Sequence, residues 1–498
     1  MIAPLALLSW PIVVIILFLR TSAPVAVAVA VIGGYLLLPV QPAYDLPLLP
    51  PIDKETLPAF AALVMALIIG RKRPGPRQDP QPGAPETLPG WIPRSTGARL
   101  LIALLFVGAF LNVLTNQDVL VYGPTVLPPI GLYNGFSASL GVFMMLIPFL
   151  LARKFLSSDE GNRTLLIVLV ISGLLYSLLA LYEIRMSPQL NVMVYGFFPH
   201  QWMQHVRGGG YRPLVFLRHG LWLAIFMAGA VLAALGMMRL SSGRQRTLCM
   251  LAAAWLFATL FLSHSLGAFV IAVLASAVLL LCPPRAQLLI AAAIAAVMLT
   301  YPILRGAGLI PVDRIVAWAD GVEKQRGDSL RFRLANEDIL LEKANERPLA
   351  GWGSWNRNRV FNENGVDVSV TDGLWVIVIG RDGWIGYIGQ FGLLGLPIIL
   401  LAFRRRSLGA GQASAALALI LAGGLIDLIP NGTRTPVTWL VAGALVGRLE
   451  WARKTAAEGP ALATAAGPEP ALPPAQILSG QYSAGYTRQK YLHRRTGA

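Results

Sequence analysis

Charge is scarce in this sequence: 13% of its 498 residues are Asp, Glu, Lys or Arg, while 55% are hydrophobic. With a mean hydropathy of +0.61, that is far more apolar matter than a solvated surface needs, so a soluble fold is excluded and lipid is the solvent for most of the chain. Cysteine is far scarcer, with two residues. Cys249 and Cys282 both fall in apolar runs, so no disulfide closes any external segment, which must be ordered by packing against helices. The five histidines are scattered, and there is no zinc or haem spacing, no P-loop and no Gly-x-Ser-x-Gly elbow, so neither a metal nor a cofactor is expected. Sequence repeats are missing, as is any pair of Gly/Pro-broken spans in corresponding halves of the kind found in many secondary transporters. The N-terminal apolar run lacks a basic flank and a small-residue cleavage site, and reads as a retained helix.

What is present is a series of apolar runs, most of them about 17–22 residues long, each sufficient at 1.5 Å per residue for a hydrocarbon core roughly 30 Å thick. They fall near 2–19, 22–40, 57–70, 99–115, 136–152, 164–182, 215–237, 247–263, 266–282, 287–303, 384–403, 412–430 and 437–450. The third and last are short. The pattern predicts an all-α polytopic membrane protein of about 12–13 spans in a lipid bilayer. Lys and Arg alternate between the connecting segments: Arg20, Arg71 to Arg73, Arg153 and Lys154, Arg239 to Arg246, Arg285, Arg404 to Arg406 and the tail form one set. By the positive-inside rule this set is cytoplasmic, and the net charge of +16 divides into +17 on its side and −1 on the other. The pI of about 10.2 is therefore a topology signal, and no nucleic-acid module accompanies it. The resulting organisation is 1–70, N-terminal helices; 71–98, a Pro/Gly-rich cytoplasmic linker read as disordered; 99–303, the transmembrane core; 304–383, one large external loop domain; 384–450, C-terminal helices; 451–498, a low-complexity cytoplasmic tail.

Candidate chemistry lies on the external side. The stretch DSLRFRLANEDILLEKANERP reads as an amphipathic helix capped by Asp328 or Ser329, placing Arg331 and Arg333 in its first turn. Cations there suit a bound anion; the alternative is a surface pair of Arg333 with Glu337. Arg212, Arg218, His219 and His264 stand at span edges, where ionisable groups are costly without a partner. Trp352 and Trp355, with Arg357 in the Arg/Asn-rich run that follows, suit a sugar, which offers a C–H face for stacking and hydroxyls for polar groups. Asp372 is either a base or a helix cap, and Arg381 with Asp382 interrupts an apolar run before a span.

Four segments, GYRPLVFLRHGLWLA, FLSHSLGAFVIAVL, SLRFRLANEDILLEKANERPLAGWG and DGLWVIVIGRDGWIGYIGQFGLLG, in this order between about 205 and 430, give the chain a resemblance to the O-antigen ligase and O-antigen polymerase superfamily. The resemblance implies a GT-C-like, metal-independent, inverting glycosyltransferase of the bacterial inner membrane, with a large periplasmic loop. Its donor would be an undecaprenyl-pyrophosphate-linked glycan, and a flippase and a chain-length regulator would be its partners. It further implies that Arg212 or Arg218 and Arg331 or Arg333 hold pyrophosphate, that Asp372 and His264 are catalytic, and that His219, Trp352, Trp355, Arg357 and Arg381 contact glycan. Ligases of the family carry a His-Asn pair where this chain has Asp372, and a Ser-Arg-Gly pattern where it has Ser265, Leu266 and Gly267. The aspartate looks more like the polymerase members. Two other function classes stay open: a transporter or flippase of lipid-linked sugars, which would need deep ionisable residues of which Arg218 and Asp427 are among the few, and a non-catalytic envelope-assembly subunit.

Overall fold

Apolar runs this long satisfy every backbone donor and acceptor internally only as helices, and helices are what they form. The computed structural model of the chain describes residues 2–71, 87–207, 209–322, 324–408 and 411–465. In chain order the helices are α1 (Ile2–Arg20), α2 (Ala23–Leu37), α3 (Leu57–Arg71), α4 (Thr96–Thr115), α5 (Leu132–Phe155), α6 (Asp159–Met186), α7 (Leu190–Tyr195), α8 (Gly220–Leu240), α9 (Gly243–Leu262), α10 (Leu266–Leu281), α11 (Pro284–Gly306), α12 (Val312–Val322), α13 (Lys324–Asn345), α14 (Leu374–Leu408), α15 (Gln412–Asp427) and α16 (Pro436–Ala465). All thirteen apolar runs of the sequence coincide with helices. Among the described residues, α1, α4, α5, α6, α8, α9, α11 and α14 are long and apolar enough to cross a membrane, and α2, α3, α10 and α15 are shorter apolar helices. The chain is thus a multi-pass, mostly helical membrane protein.

Two small antiparallel hairpins interrupt the helical pattern: β1 (Leu120–Tyr122) with β2 (Thr125–Leu127), and β3 (Val206–Arg207) with β4 (Gly210–Tyr211). A 3-10 helix, Trp202–His205, precedes β3. Alternate ends of the helices meet in two layers of connections. One layer holds the segments around 38–56, 116–131, 187–219, 346–373 and 428–435, joined by bonds such as Lys54 Nζ to Phe216 O at 2.6 Å and Leu48 N to Tyr133 Oη at 2.8 Å. The opposite layer is fastened by Arg153 to Glu450 at 2.5 Å and Arg448 to Asp159 at 2.8 Å. Among the eight described helices long and apolar enough to cross, α8 and α14 are the most enclosed, while α1 and α9 show most of their apolar surface outward, as lipid-facing helices do.

Small residues set the tightest crossings. A Cβ on Gly443 would lie 2.1 Å from Phe149 O and one on Gly447 2.6 Å from Arg153 O, so α16 meets α5 along a Gly-x-x-x-Gly stripe. Met1–Lys454 forms one compact unit; Thr455–Ala498 is a second, described through Ala465, where it is helical. The linker expectation is corrected in part. From residue 87 the chain is ordered, with Leu88 buried and its N–H bonded to Lys154 O at 3.0 Å, because this apolar residue finds a site at the end of α5. Residues 72–86 and 466–498, where disorder is expected, lie outside the described residues.

Candidate functional site

Helix α14 is broken, and the break organises the site. Gly383 sits at φ 65°, ψ −171°, a conformation available essentially to glycine alone, and a Cβ there would lie 2.2 Å from Leu349 O. In an unbroken helix the N–H groups of Trp384 and Ile385 would bond the carbonyls of Gly380 and Arg381. Instead Trp384 N–H donates to Pro348 O (2.8 Å) and Ile385 N–H to Leu349 O (3.2 Å), while Trp352 N–H donates to Gly380 O (2.8 Å) and Gly353 N–H to Arg381 O (2.9 Å). The segment Pro348–Gly353 is therefore inserted into the gap and replaces each missing bond. Gly351, at φ 73°, allows the approach, since a Cβ there would be 2.6 Å from Gly383 N. Asn112 of α4 completes the joint by donating to Ala350 O (2.7 Å) and Arg381 O (3.0 Å).

The break leaves Arg381 and Asp382 at the edge of a cavity of about 590 Å³, within the range of ligand sites. Its deeper wall is apolar and narrow-chained, with Leu105, Gly108 and Ala109 from α4 and Ala138, Gly141, Val142 and Met145 from α5. Its polar lining is Asn112, Asn134, Ser354, Arg381, Asp382, Gln390 and Arg434, with Trp355 beside them. These groups form a chain: Arg381 Nη2 to Asp382 Oδ2 at 2.7 Å, Gln390 Nε2 to Asp382 Oδ2 at 3.1 Å, and Arg434 donating to Gln390 Oε1. Burial, followed by the nearby charge of Arg381, lowers the Arg434 guanidinium to about 10, so it remains a cation at neutral pH. The two guanidinia that line the cavity, Arg381 and Arg434, suit an anion attached to an apolar body. Beside it, burial pushes the Glu55 carboxyl up and lowers the Lys54 amine to about 7, and the charge of Arg218 acts on both.

Of the residues singled out from sequence, Arg381 and Trp355 are among those lining this cavity. Trp355, with φ 61°, is 55% exposed. Arg333 meets Asp372 at 3.4 Å and donates to Pro430 O (3.4 Å), on the same Leu428–Thr435 connection that carries Arg434. Arg218 lies over the Trp222 ring at 5.7 Å. Arg212 is buried and donates to His264 O at 3.1 Å, with the His264 ring against Gly210. Arg331 is taken up by exposed ion pairs with Asp320 (2.9 Å) and Asp328 (2.7 Å). The four arginines expected at one pyrophosphate thus stand in separate environments.

Several local expectations are corrected. Helix α13 starts at Lys324, so Arg331 and Arg333 lie about two turns inside it and the first-turn argument does not apply. Glu337 does not pair with Arg333. It is buried against Trp375, whose Nε1 donates to it at 3.4 Å. Trp352 is 4% exposed, sandwiched between Lys343 (3.8 Å) and Arg347 (4.0 Å), so its faces are already covered. Arg357 is fully buried and bonds Asp118 O, Asp118 Oδ1 and Pro128 O, each at 2.9 Å, anchoring the β1–β2 hairpin. The histidines are not all scattered: His200, His205 and His219 come together, their ligand nitrogens within 4.8 Å of one another.

Asp382, Gln390, Arg434 and Glu337 escaped the sequence reading as site residues. Asp382 had a visible signal, a charge in an apolar run. Glu337 had one as well, since it shares a helical face with Leu340, Leu341 and Ala344 at the spacing of a buried stripe. Neither the family models nor the curated proteins compared with this sequence provide a match.

Proposed function

We propose that the chain is an inverting, GT-C-like glycosyltransferase of the bacterial inner membrane that takes glycan from an undecaprenyl-pyrophosphate donor, with the layer carrying 346–373 on the periplasmic side. Polymerisation of surface-polysaccharide repeats is the favoured reaction, with ligation to lipid A core as the other outcome. One observation carries the reading: an apolar cleft between α4 and α5 that ends in Arg381, Asp382, Gln390 and Arg434. The polyprenyl chain would lie along Leu105, Val142 and Met145, and the diphosphate against Arg381 and Arg434. An acceptor hydroxyl then attacks the anomeric carbon as the bond to the diphosphate oxygen breaks. The electron pair leaves with the diphosphate, the two guanidinia stabilise the charge, and Asp382 takes the hydroxyl proton. In this arrangement Trp355 offers its exposed face to a sugar. Arg333, Asp372, Arg218 and His264 shape the surrounding layer.

Arg434→Ala and Arg381→Ala should each lower transfer by about 10²–10³-fold in membranes, while the lipid-linked single repeat accumulates on the outer leaflet. Normal polymer from both variants would sink the assignment. The break in α14 favours a second reading, since interrupted helices line the sites of many transporters. That reading is selected if the repeat accumulates on the cytoplasmic leaflet instead.

A further inference from the structure

We propose that His200, His205 and His219 form a binding site for a divalent late transition metal, zinc foremost, outside the cavity described above. The three rings converge from different local structures. His200 lies in the loop after α7, His205 closes the 3-10 helix, and His219 is the N-cap of α8. Their ring centroids are 4.7 Å (His200–His219), 4.9 Å (His205–His219) and 5.8 Å (His200–His205) apart. His205 is fully buried, and the other two are half-buried.

The ring nitrogens fit the role. His205 Nδ1 faces the Arg212 carbonyl at 3.3 Å; an N–H donated there leaves Nε2 as the lone-pair nitrogen, the arrangement in which a backbone carbonyl orients a metal-bound imidazole. His200 Nδ1 is a buried nitrogen with no hydrogen-bond partner. His219 Nδ1 accepts from Leu221 N–H at 3.0 Å, so its use as a ligand requires the ring to turn and release one capping bond. Such a bond is worth far less than a metal–imidazole bond. Tetrahedral zinc, with Zn–N of ~2.0–2.1 Å, places ligand nitrogens ~3.3 Å apart, so the trio must contract by ~1.5 Å. Two of the three ligands, His200 and His205, precede the β3–β4 hairpin, and the third caps α8. The adjacent Arg212 donates from Nη2 to His264 O at 3.1 Å.

An all-imidazole set favours zinc, copper or nickel over magnesium or calcium. Three ligands leave a fourth position for water or an external donor. Bound metal would pin the 3-10 helix and the β3–β4 hairpin to the start of α8, where Arg212 and Arg218 are also held.

The test uses the full chain in lipid nanodiscs, purified without a polyhistidine tag and stripped with a chelator. Zn²⁺ is titrated against a chromophoric chelator, and Co²⁺ is added separately to read its d–d spectrum. One equivalent should bind, with the intense visible bands of four-coordinate cobalt. His200→Gln and His219→Asn should each weaken Zn²⁺ binding by about 100-fold or more and abolish those bands, whereas His264→Gln should not. Asparagine is itself a good N-cap, so His219→Asn keeps α8 capped while removing the imidazole. Failure of the folded chain to take up one equivalent of either metal overturns the proposal, as does unchanged affinity in the His200→Gln and His219→Asn variants.

Discussion

Glu337 shows how much one side chain can depend on tertiary surroundings. It is 5% exposed; one carboxylate oxygen accepts a long bond from Trp375, and the other has no hydrogen-bond partner. Burial raises its pKa from 4.5 to about 7, opposed by the Trp375 bond and by Arg305, and assisted by Asp338 and Asp372. The folded chain therefore holds a proton that the unfolded chain releases between these two values. Its contribution to stability is complete below pH 4.5 and is lost as pH rises to about 7. Glu337→Gln should flatten this dependence and, above pH 7, stabilise the protein by up to ~3 kcal/mol. Thermal unfolding of both proteins at pH 5 and pH 8 checks this; equal pH dependence would refute it. From the sequence this residue was one half of an i, i+4 pair, because a helix face can be drawn from spacing but the neighbour that covers it cannot.

Among the elements, α14 carries the strongest constraint. The Gly383 conformation costs a non-glycine residue ~1–3 kcal/mol, and its Cβ would also strike the backbone of Leu349 and Ala350. Gly383→Ala should therefore lose at least ~3 kcal/mol and fail to accumulate in membranes. Gly424→Ala in α15, where a Cβ meets nothing within 4 Å, should instead gain ~0.5–1 kcal/mol, read from the same unfolding curves. The existence of every apolar helix was legible, since hydropathy over a run of about this length decides it. The start of α13 was not. Asp328 and Ser329 are good caps, but the helix continues back through them to Lys324, where its outer turns pack on α12. The break at Gly383 was likewise hidden, because an apolar sequence rich in glycine is compatible with a continuous span until the Pro348–Gly353 segment occupies the gap.

For the molecule as a whole, the alternation of basic and neutral connections becomes two physical layers at opposite ends of the helices. Impermeant maleimide tests the proposed orientation in a background with Cys249→Ser and Cys282→Ser. Ser354→Cys, beside the cavity, should label in right-side-out spheroplasts, and Ser242→Cys, between Arg239 and Arg244, only after permeabilisation. The reverse pattern would invert the topology and remove the periplasmic reading of the site. The apolar helices and their approximate limits were determined by the sequence alone, because each depends on composition within a local window; of the 12–13 expected spans, eight described helices have the length and apolarity to cross a membrane and four more are shorter apolar helices. Which charges meet was decided only by the tertiary structure. Arg381, Asp382, Gln390 and Arg434 come from positions up to 53 residues apart and join through a helix break and a turn, and Arg212, Arg331 and Arg333 are drawn to different partners. Hydrophobicity acts on the chain as a sum over neighbours in sequence, whereas an ion pair in a cleft depends on backbone positions that no local window contains.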